Sequence, residues 1–214
     1  TNPDIKNYLE KIAQPSYRKW ICELDNGIAD GFNKGLKNTS GDIVVMLNSG
    51  DTFFNESIIG IVQEKFEKDP ELSWLHGKYR NFRGNLWVTL GKPFEKEKLY
   101  RGMRSICHQT MFVKRNLHTI YGLYDVEEKI GMDYDFLCRI ANEPFNFLPA
   151  VMVTYAHDGK SQLNYLTALK NAKKIYIKHF GRSLKLTLWQ MRLRVLYYLL
   201  NSPIGNFLYK IKTK

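Results

Sequence analysis

Apolar positions along the chain follow two periods, and their alternation predicts the elements. In residues 4–13 (DIKNYLEKIA), Ile5, Leu9 and Ile12 recur at i, i+4 and i+7, which predicts a helix. Residues 17–23 (YRKWICE) alternate as a short strand does. Residues 27–36 open with glycine and place Ile28, Phe32 and Leu36 on one face, a second helix. The continuous apolar run 42–47 (DIVVML) reads as a strand buried on both faces, as in a parallel sheet covered by helices. A helix follows over 56–68, ended by Asp69-Pro70. Two strands are expected within 72–90, around the hairpin signal Arg83-Gly84-Asn85. Further on, 108–115 reads as a strand, 132–142 as a helix and 147–156 as a strand. Strands alternating with helices and then a mixed region predict an α/β domain with an open twisted sheet. From Leu184 apolar residues fall at 184, 188, 191, 195 and 199, with a second row at 186, 189, 193, 196 and 200. That pattern predicts a helix with a wide apolar stripe, broken at Asn201-Ser202-Pro203.

Charge divides the chain. The net charge of +11 is not spread evenly: the last acidic residue is Asp158, and twelve Lys and Arg follow it with no acid among them. The residues up to Asp158 carry 20 basic and 21 acidic groups. A neutral body over 1–161 is therefore expected to bear a basic helical segment over 162–214. At 214 residues with 44% apolar content, one domain with an appendage and a sizeable core are expected. Cys22, Cys107 and Cys138 are odd in number and widely spaced, which argues for a reducing compartment and against a cysteine-built zinc site. The polar opening TNPDIKNYLEK does not read as a secretory leader, and the longest apolar run, 195–200, is six residues. A spanning helix needs about 20. The expectation is a soluble or peripheral protein.

Chemistry concentrates at the end of the third apolar element. In open α/β sheets the ligand crevice lies outside the carboxyl ends of the strands, where Asn48-Ser49-Gly50-Asp51 falls. Gly50 lets the backbone turn, and Asp51 could then hold a metal or a ribose hydroxyl. The same four residues also suit a plain turn. The stretch "DNGIADGFNKGLKNTSGDIVVMLNSGD" (25–51) resembles the heart of the family-two, GT-A-fold glycosyltransferases of bacterial surface-polysaccharide assembly, whose pattern runs D-x-G-I-x-D-A-x-N-K-G, A-x-G, an apolar strand and L-N-S-(D/G)-D. A second block, "SICHQTMFVKRNLHTIYGLYDVEEKIGMDYDFLCRI" (105–140), resembles their acceptor-side block. "HDGKS" (157–161) is a weaker echo of a Gly-Gly-x-Ser turn.

The resemblance implies a GT-A fold, an open mixed sheet flanked by helices with a basic amphipathic C-terminal tail. It also implies an inverting transfer from a nucleotide-diphosphate sugar, a UDP-sugar first, to a saccharide or lipid-linked saccharide hydroxyl. The general base falls on Asp133, at the first turn of its helix, where the dipole steadies a carboxylate; Asp is equally a favoured cap there. Donor-binding positions fall on Asp25, Asp30, Asn33, Lys34, Asn48, Ser49, Gly50 and Asp51, supplemented by His157 and Lys160. Asp30 would serve helix stability equally, His157 could be a loop histidine and Lys160 a solvated residue. His108 and Gln109 are the acceptor or sugar contacts, or else a paired polar edge. Asp51 is the implied ligand of a Mg or Mn ion, although the family's Asp-x-Asp is here Asn48-Ser49-Gly50-Asp51. The chain also begins within the family pattern, so that one nucleotide-binding βαβ unit of the relatives has no counterpart in it. These two departures define the alternative, a catalytically inactive GT-A-fold assembly partner at the membrane. The basic, aromatic tail (Trp189, Tyr197, Tyr198) suits either an interfacial helix on anionic lipid or a helix packed on the body. Nucleic acid ranks last as its partner. The place implied is the cytoplasm, peripheral at the inner face of the plasma membrane.

Overall fold

A computed structural model of the chain describes residues 3–12, 15–83, 86–104, 106–156 and 164–203. Gly84 and Asn85 of the hairpin signal, the 157–161 stretch with His157 and Lys160, and the chain beyond Pro203 lie outside the described residues. In order the elements are α1 (Pro3–Lys11), α2 (Ile28–Lys37), β1 (Ile43–Val44), β2 (Thr52–Phe53), α3 (Ser57–Lys68), β3 (Trp74–Arg83), β4 (Leu86–Leu90), β5 (Phe112–Lys114), α4 (Leu117–Ile120), α5 (Met132–Arg139), β6 (Phe145–Tyr155), α6 (Tyr165–Phe180) and α7 (Leu184–Leu200). Two 3₁₀ turns, Lys96–Arg101 and His108–Thr110, complete the list.

The sheet is mixed. Its order is β1-β5-β3-β6-β2, and β4 pairs with the far half of β3. Only β3 and β6 run parallel; the other pairs are antiparallel. Period-two alternation sends neighbouring side chains to opposite faces. Trp74 and Val113 accordingly enter one core with Ala29 and Leu36 of α2, Phe136 of α5, Ile140 just beyond it and Ile175 of α6. Leu75 and Phe112 enter the other with Ile58, Val62 and Phe66 of α3, spaced i, i+4, i+8. Helices therefore cover both faces. At Gly77 the β3–β6 register shifts. A Cβ there would lie 2.8 Å from the Leu148 carbonyl and against the Met152 sulfur, so only glycine lets the two strands close.

Three expected strands change. Residues 17–23 pair with no described strand, and Tyr17 and the adjoining Leu24 are 84% and 89% exposed. Alternation alone cannot make a strand without a hydrogen-bonded neighbour, and this segment instead faces β1 across a cleft. The 42–47 run shortens to Ile43–Val44, an antiparallel edge strand rather than a parallel one buried on both faces; Val44 is buried and Ile43 half-buried. In the 108–115 segment His108–Thr110 winds into a 3₁₀ turn before β5, because the Thr110 and Met111 N–H groups bond back to Cys107 and His108. The α5 helix stops at Arg139 rather than continuing to 142.

One buried carboxylate ties α5 down. Asp135, 1% exposed, accepts from Arg139 Nε (3.0 Å), Lys178 Nζ (3.0 Å) and His179 Nε2 (2.8 Å), the last two from α6. Burial pushes its carboxyl up, but His179, Lys178 and Arg139 outweigh this and hold it below the usual carboxylate range. Arg139 also donates to the carbonyls of Tyr121, Gly122 (2.8 Å) and Leu123 (2.9 Å), fixing the loop before α5.

The last helix resolves the wide stripe into two faces. Ser183 caps α7, accepting from Leu186 N at 3.1 Å. Leu186, Gln190 and Leu193 are buried against the body, with Gln190 Nε2 donating to Leu169 O at 3.1 Å. Leu184, Leu188, Met191, Val195 and Leu199 face outward, each more than half exposed. Among the described residues no helix is long and apolar enough to cross a membrane.

Two buried histidines make stability fall in mild acid. His76 is 0% exposed between Trp74 and Phe147, neither ring nitrogen has a partner among the described residues, and burial lowers its pKa to about 4. His118, stacked on Phe136 at 4.2 Å, is lowered to about 4 by burial and by Arg139. Both are lowered in the folded state, so their neutral forms are fully favoured above the unfolded value of 6.5 and stability is lost from there down to pH 4. The loss approaches about 3 kcal/mol per histidine. Urea unfolding at pH 7.5 and pH 5 should show the midpoint falling, and His76→Phe should remove part of that fall. Asp135→Ala, which leaves its cations facing a void, should cost about 3–5 kcal/mol at pH 7, read from the same curves.

Candidate functional site

The site assembles where three short elements end together. After β1 the backbone turns at Asn48–Asp51, closed by Asp51 N donating to Asn48 O at 3.1 Å. Gly50 takes φ 90°, which favours glycine, and a Cβ there would press on Ala156 at 3.1 Å. From the facing side come the 3₁₀ turn carrying His108 and Gln109, and the first turn of α5 carrying Asp133.

His108 bridges the two sides. Its Nδ1 lies 3.3 Å from Asp133 Oδ2, and its Nε2 lies 3.3 Å from Asn48 Nδ2. With the Asn48 amide donating, Nε2 accepts, and the ring proton sits on Nδ1, aimed at Asp133. Asp133 Oδ1 accepts from Tyr134 N at 2.9 Å. The α5 N-cap is Gly131 in the left-handed region (φ 100°), and no side chain caps the helix, so Asp133 is not its cap. The Asp133 side chain is 29% accessible, enough to meet a ligand. Burial pushes its carboxyl up, but the His108 hydrogen bond with its electrostatic attraction, and the Tyr134 N–H, outweigh this and leave it below the usual value. Asp135, two residues on, faces α6 instead.

Asp51 is engaged on both oxygens. Oδ1 accepts from Ala156 N (2.9 Å); Oδ2 accepts from Gln109 Nε2 (2.8 Å) and Asn48 N (3.3 Å). Gln109 is 1% exposed and takes the Cys107 thiol on its other end at 2.6 Å, so it braces Asp51 and is not open to an acceptor sugar. Among the described residues no three His, Cys, Asp or Glu side chains are placed to hold a metal. A Mg or Mn ion wants about six oxygen ligands. A single carboxylate already accepting three N–H groups does not fit a protein-built centre for either.

The remaining expected donor residues separate. A cleft of about 720 Å³ lies between the 16–25 segment, α2 and β1, and Asp25 and Lys34 line it. Asp25 Oδ1 accepts from Gly27 N at 2.9 Å. Lys34 Nζ reaches Leu24 O (2.6 Å), Glu23 (2.9 Å) and Asp30 (3.2 Å), pairs that raise its pKa, the Glu23 hydrogen bond most. Asp30 also takes Asn26 N at 3.0 Å and is not among the cleft's lining residues. Asn33 is buried, and both ends of its amide are matched to the backbone of Tyr124 at 2.9 Å. It ties α2 to the loop before α5 rather than facing a donor, which corrects the expectation for this residue. Ser49 and Gly50 are exposed at the turn. The brace of Cys107 and the Ala156 N–H escaped sequence reasoning: a thiol two residues from its partner and a backbone amide leave no motif. Tyr17 and Lys19 of the cleft were missed because their segment reads as a strand by alternation, and only the position of β1 shows that it lines a cleft.

Comparison with known proteins bears on the chain as a whole rather than on single residues. No family model matches the chain. It is 29% identical over 139 residues to an uncharacterized glycosyltransferase of Mycobacterium tuberculosis, covering 64% of this chain and 53% of that protein. It is 25% identical over 170 residues to a PGL/p-HBAD biosynthesis glycosyltransferase of Mycobacterium bovis, covering 77% of this chain and 62% of that one. The chain thus spans between half and two thirds of the length of these curated relatives. Among solved structures, TarS residues 1–349 of S. aureus superposes with a TM-score of 0.54 at 13% identity, covering 89% of this chain and 56% of that one. The same protein in complex with UDP gives 0.51 at 13% identity, over 85% and 54%. The chain is similar in sequence to curated glycosyltransferases, and its mixed α/β fold is that of the TarS structures.

Proposed function

We propose that the chain carries the catalytic side of an inverting, GT-A-type glycosyltransferase of bacterial surface-polysaccharide or glycolipid assembly. The observation that carries the reading is the hydrogen-bonded run Asp133–His108–Asn48 leading into the Asp51 turn, at the carboxyl end of a strand. The names of the curated relatives and the UDP bound in one TarS structure support a nucleotide-sugar donor, a UDP-sugar first. The acceptor is a saccharide hydroxyl, lipid-linked in the reading the resemblance favours.

In this mechanism the acceptor hydroxyl approaches Asp133, whose carboxylate accepts its proton as the new glycosidic bond forms. The anomeric carbon–oxygen bond to the diphosphate breaks on the opposite side, and the configuration inverts. His108 fixes the Asp133 oxygens in place and, through Asn48, couples the base to the turn beneath the donor. A general base works best with a pKa near the operating pH, whereas Asp133 in the free protein is lowered. A diphosphate placed before it adds negative charge and excludes water, both of which raise a carboxyl. A divalent ion, Mg or Mn, would enter with the donor's diphosphate as its main ligand, Asp51 contributing at most one oxygen. The crowding of Asp51 by N–H donors is the specific observation that favours the second reading, a non-catalytic GT-A-fold partner.

UDP release from a panel of UDP-sugars, with bacterial lipid extract as acceptor, tests the first reading in the protein that contains this chain. Asp133→Asn should lower turnover by at least about 10²-fold, the lower end of general-base contributions, and leave UDP affinity unchanged. His108→Ala, which removes the group that lowers Asp133, should move the acid limb of the rate profile to higher pH. No release by the wild type, with UDP still bound, would select the non-catalytic reading. Calorimetry of UDP with and without Mn decides the role of Asp51. A metal-dependent gain lost in Asp51→Ala assigns it a ligand role, and equal affinities in all four titrations assign it to the turn alone.

A further inference from the structure

A second, positively charged cleft lies where the 92–104 segment meets α7, with Leu137 of α5 in its wall. It encloses about 400 Å³ and is lined by Lys92, Glu95, Lys98, Arg101, Arg104 and Trp189. Glu95, the one acid in it, is paired with Lys98. The guanidinium carbons of Arg101, Arg104 and Arg192 lie 5.0, 5.2 and 5.4 Å from the centre of the Trp189 ring. All three therefore sit within about 11 Å of one another, and none has a carboxylate partner among the described residues. The Trp189 Nε1 is buried and has no hydrogen-bond partner there either. One indole face cannot neutralise three cations, and packing holds them together against their repulsion. An oxyanion with several acceptor oxygens suits the Arg101 and Arg104 guanidiniums that line the cleft, and the planar guanidinium fork matches phosphate best.

Trp189 brings α7 into the cleft wall, and the same helix carries an outer apolar row. Leu184, Leu188, Met191, Val195 and Leu199 recur at i, i+4, i+7, i+11 and i+15, 51–74% exposed. At helical spacing Lys185 and Arg192 border this row on one side and Arg194 on the other. On the opposite side Leu186, Gln190 and Leu193 are buried against the body, so the outer apolar row is not the helix's packing face. A phosphate pocket beside a basic-bordered apolar row matches a lipid surface, with headgroup and acyl chains side by side. The complete lack of acid beyond Asp158 gives the charge complementarity.

We infer that the Arg101–Arg104 cleft, with Arg192 beside it across Trp189, binds the phosphate of an anionic phospholipid headgroup while the outer face of α7 rests in the interfacial layer of the bilayer. The two-sided helix then holds the body at a fixed attitude to the membrane.

The test is co-sedimentation of the full chain with phosphatidylcholine vesicles with and without phosphatidylglycerol, together with titration by pyrophosphate. Binding should require phosphatidylglycerol and weaken with salt. The double variant Arg101→Gln/Arg104→Gln should lose roughly 30-fold in vesicle affinity. Leu188→Gln/Val195→Gln should also lose vesicle binding but keep the pyrophosphate affinity of the wild type. Trp189 emission, isolated by subtracting a Trp189→Phe variant, should be quenched by brominated lipid. Equal UDP affinity in every variant keeps this outcome separate from that of the catalytic reading. The inference is overturned if phosphatidylglycerol makes no difference, or if the arginine variant binds vesicles as the wild type does. Pyrophosphate binding that depends on the arginines without any vesicle binding would also overturn it and mark a site for a soluble phosphate compound.

Discussion

The arrangement of the site depends on the Asp135 carboxylate. A charge buried this deeply is costly unless each oxygen is matched, and here one residue of α5 and two of α6 match it. The constraint is geometric as much as energetic. With Asp135 turned inward to α6 and Arg139 gripping the carbonyls of 121–123, α5 cannot rotate, and residue 133 is left facing the end of β1. The same grip fixes the loop whose Tyr124 backbone receives Asn33, so that α2 is set by it too. Both walls of the crevice are thus referred to one ion cluster outside the chemistry.

Within the crevice the polar groups divide by degree of freedom. Asp51 and Gln109 are fully occupied with each other and with backbone, and act as the frame of the turn. Asp133 keeps a lone pair, and Asp133 and His108, with about a quarter of their side chains accessible, keep surface for a ligand. That difference separates framing residues from ligand-accessible ones more clearly than residue type does, since both sets contain a carboxylate and a nitrogen-bearing partner.

How much of this could be read from the chain depends on how local the cause is. Helices such as 57–68 were legible because Ile58, Val62 and Phe66 repeat within a single element. The hairpin of β3 and β4 was legible because its turn lies between its strands. Strand pairing at 17–23 and 42–47 was misread because a strand's existence and its burial depend on distant neighbours. The motif residues at 48–51, 108–109 and 133 were found and converge, but their division of labour was not visible. Asn33 looked like a donor contact in the motif, and only the position of Tyr124, far along the chain, shows both ends of its amide engaged. The wide stripe of α7 read as one face because a helical wheel cannot tell which half meets the body.

The parallel pairing of β3 with β6 has a consequence for how the molecule is made. Trp74 lies opposite Phe145, and Asn81 opposite Tyr155, so the central pair of the sheet joins segments far apart along the chain. Closing so long a loop is entropically slow, and no hairpin can nucleate it. During synthesis Trp74 and Leu75, both wholly buried at the end, must wait uncovered until the ribosome has delivered residues as far as 155. The order of synthesis and the order of assembly are therefore opposed at the centre of the sheet, and the nascent chain's exposure to aggregation or to a chaperone is greatest in that interval.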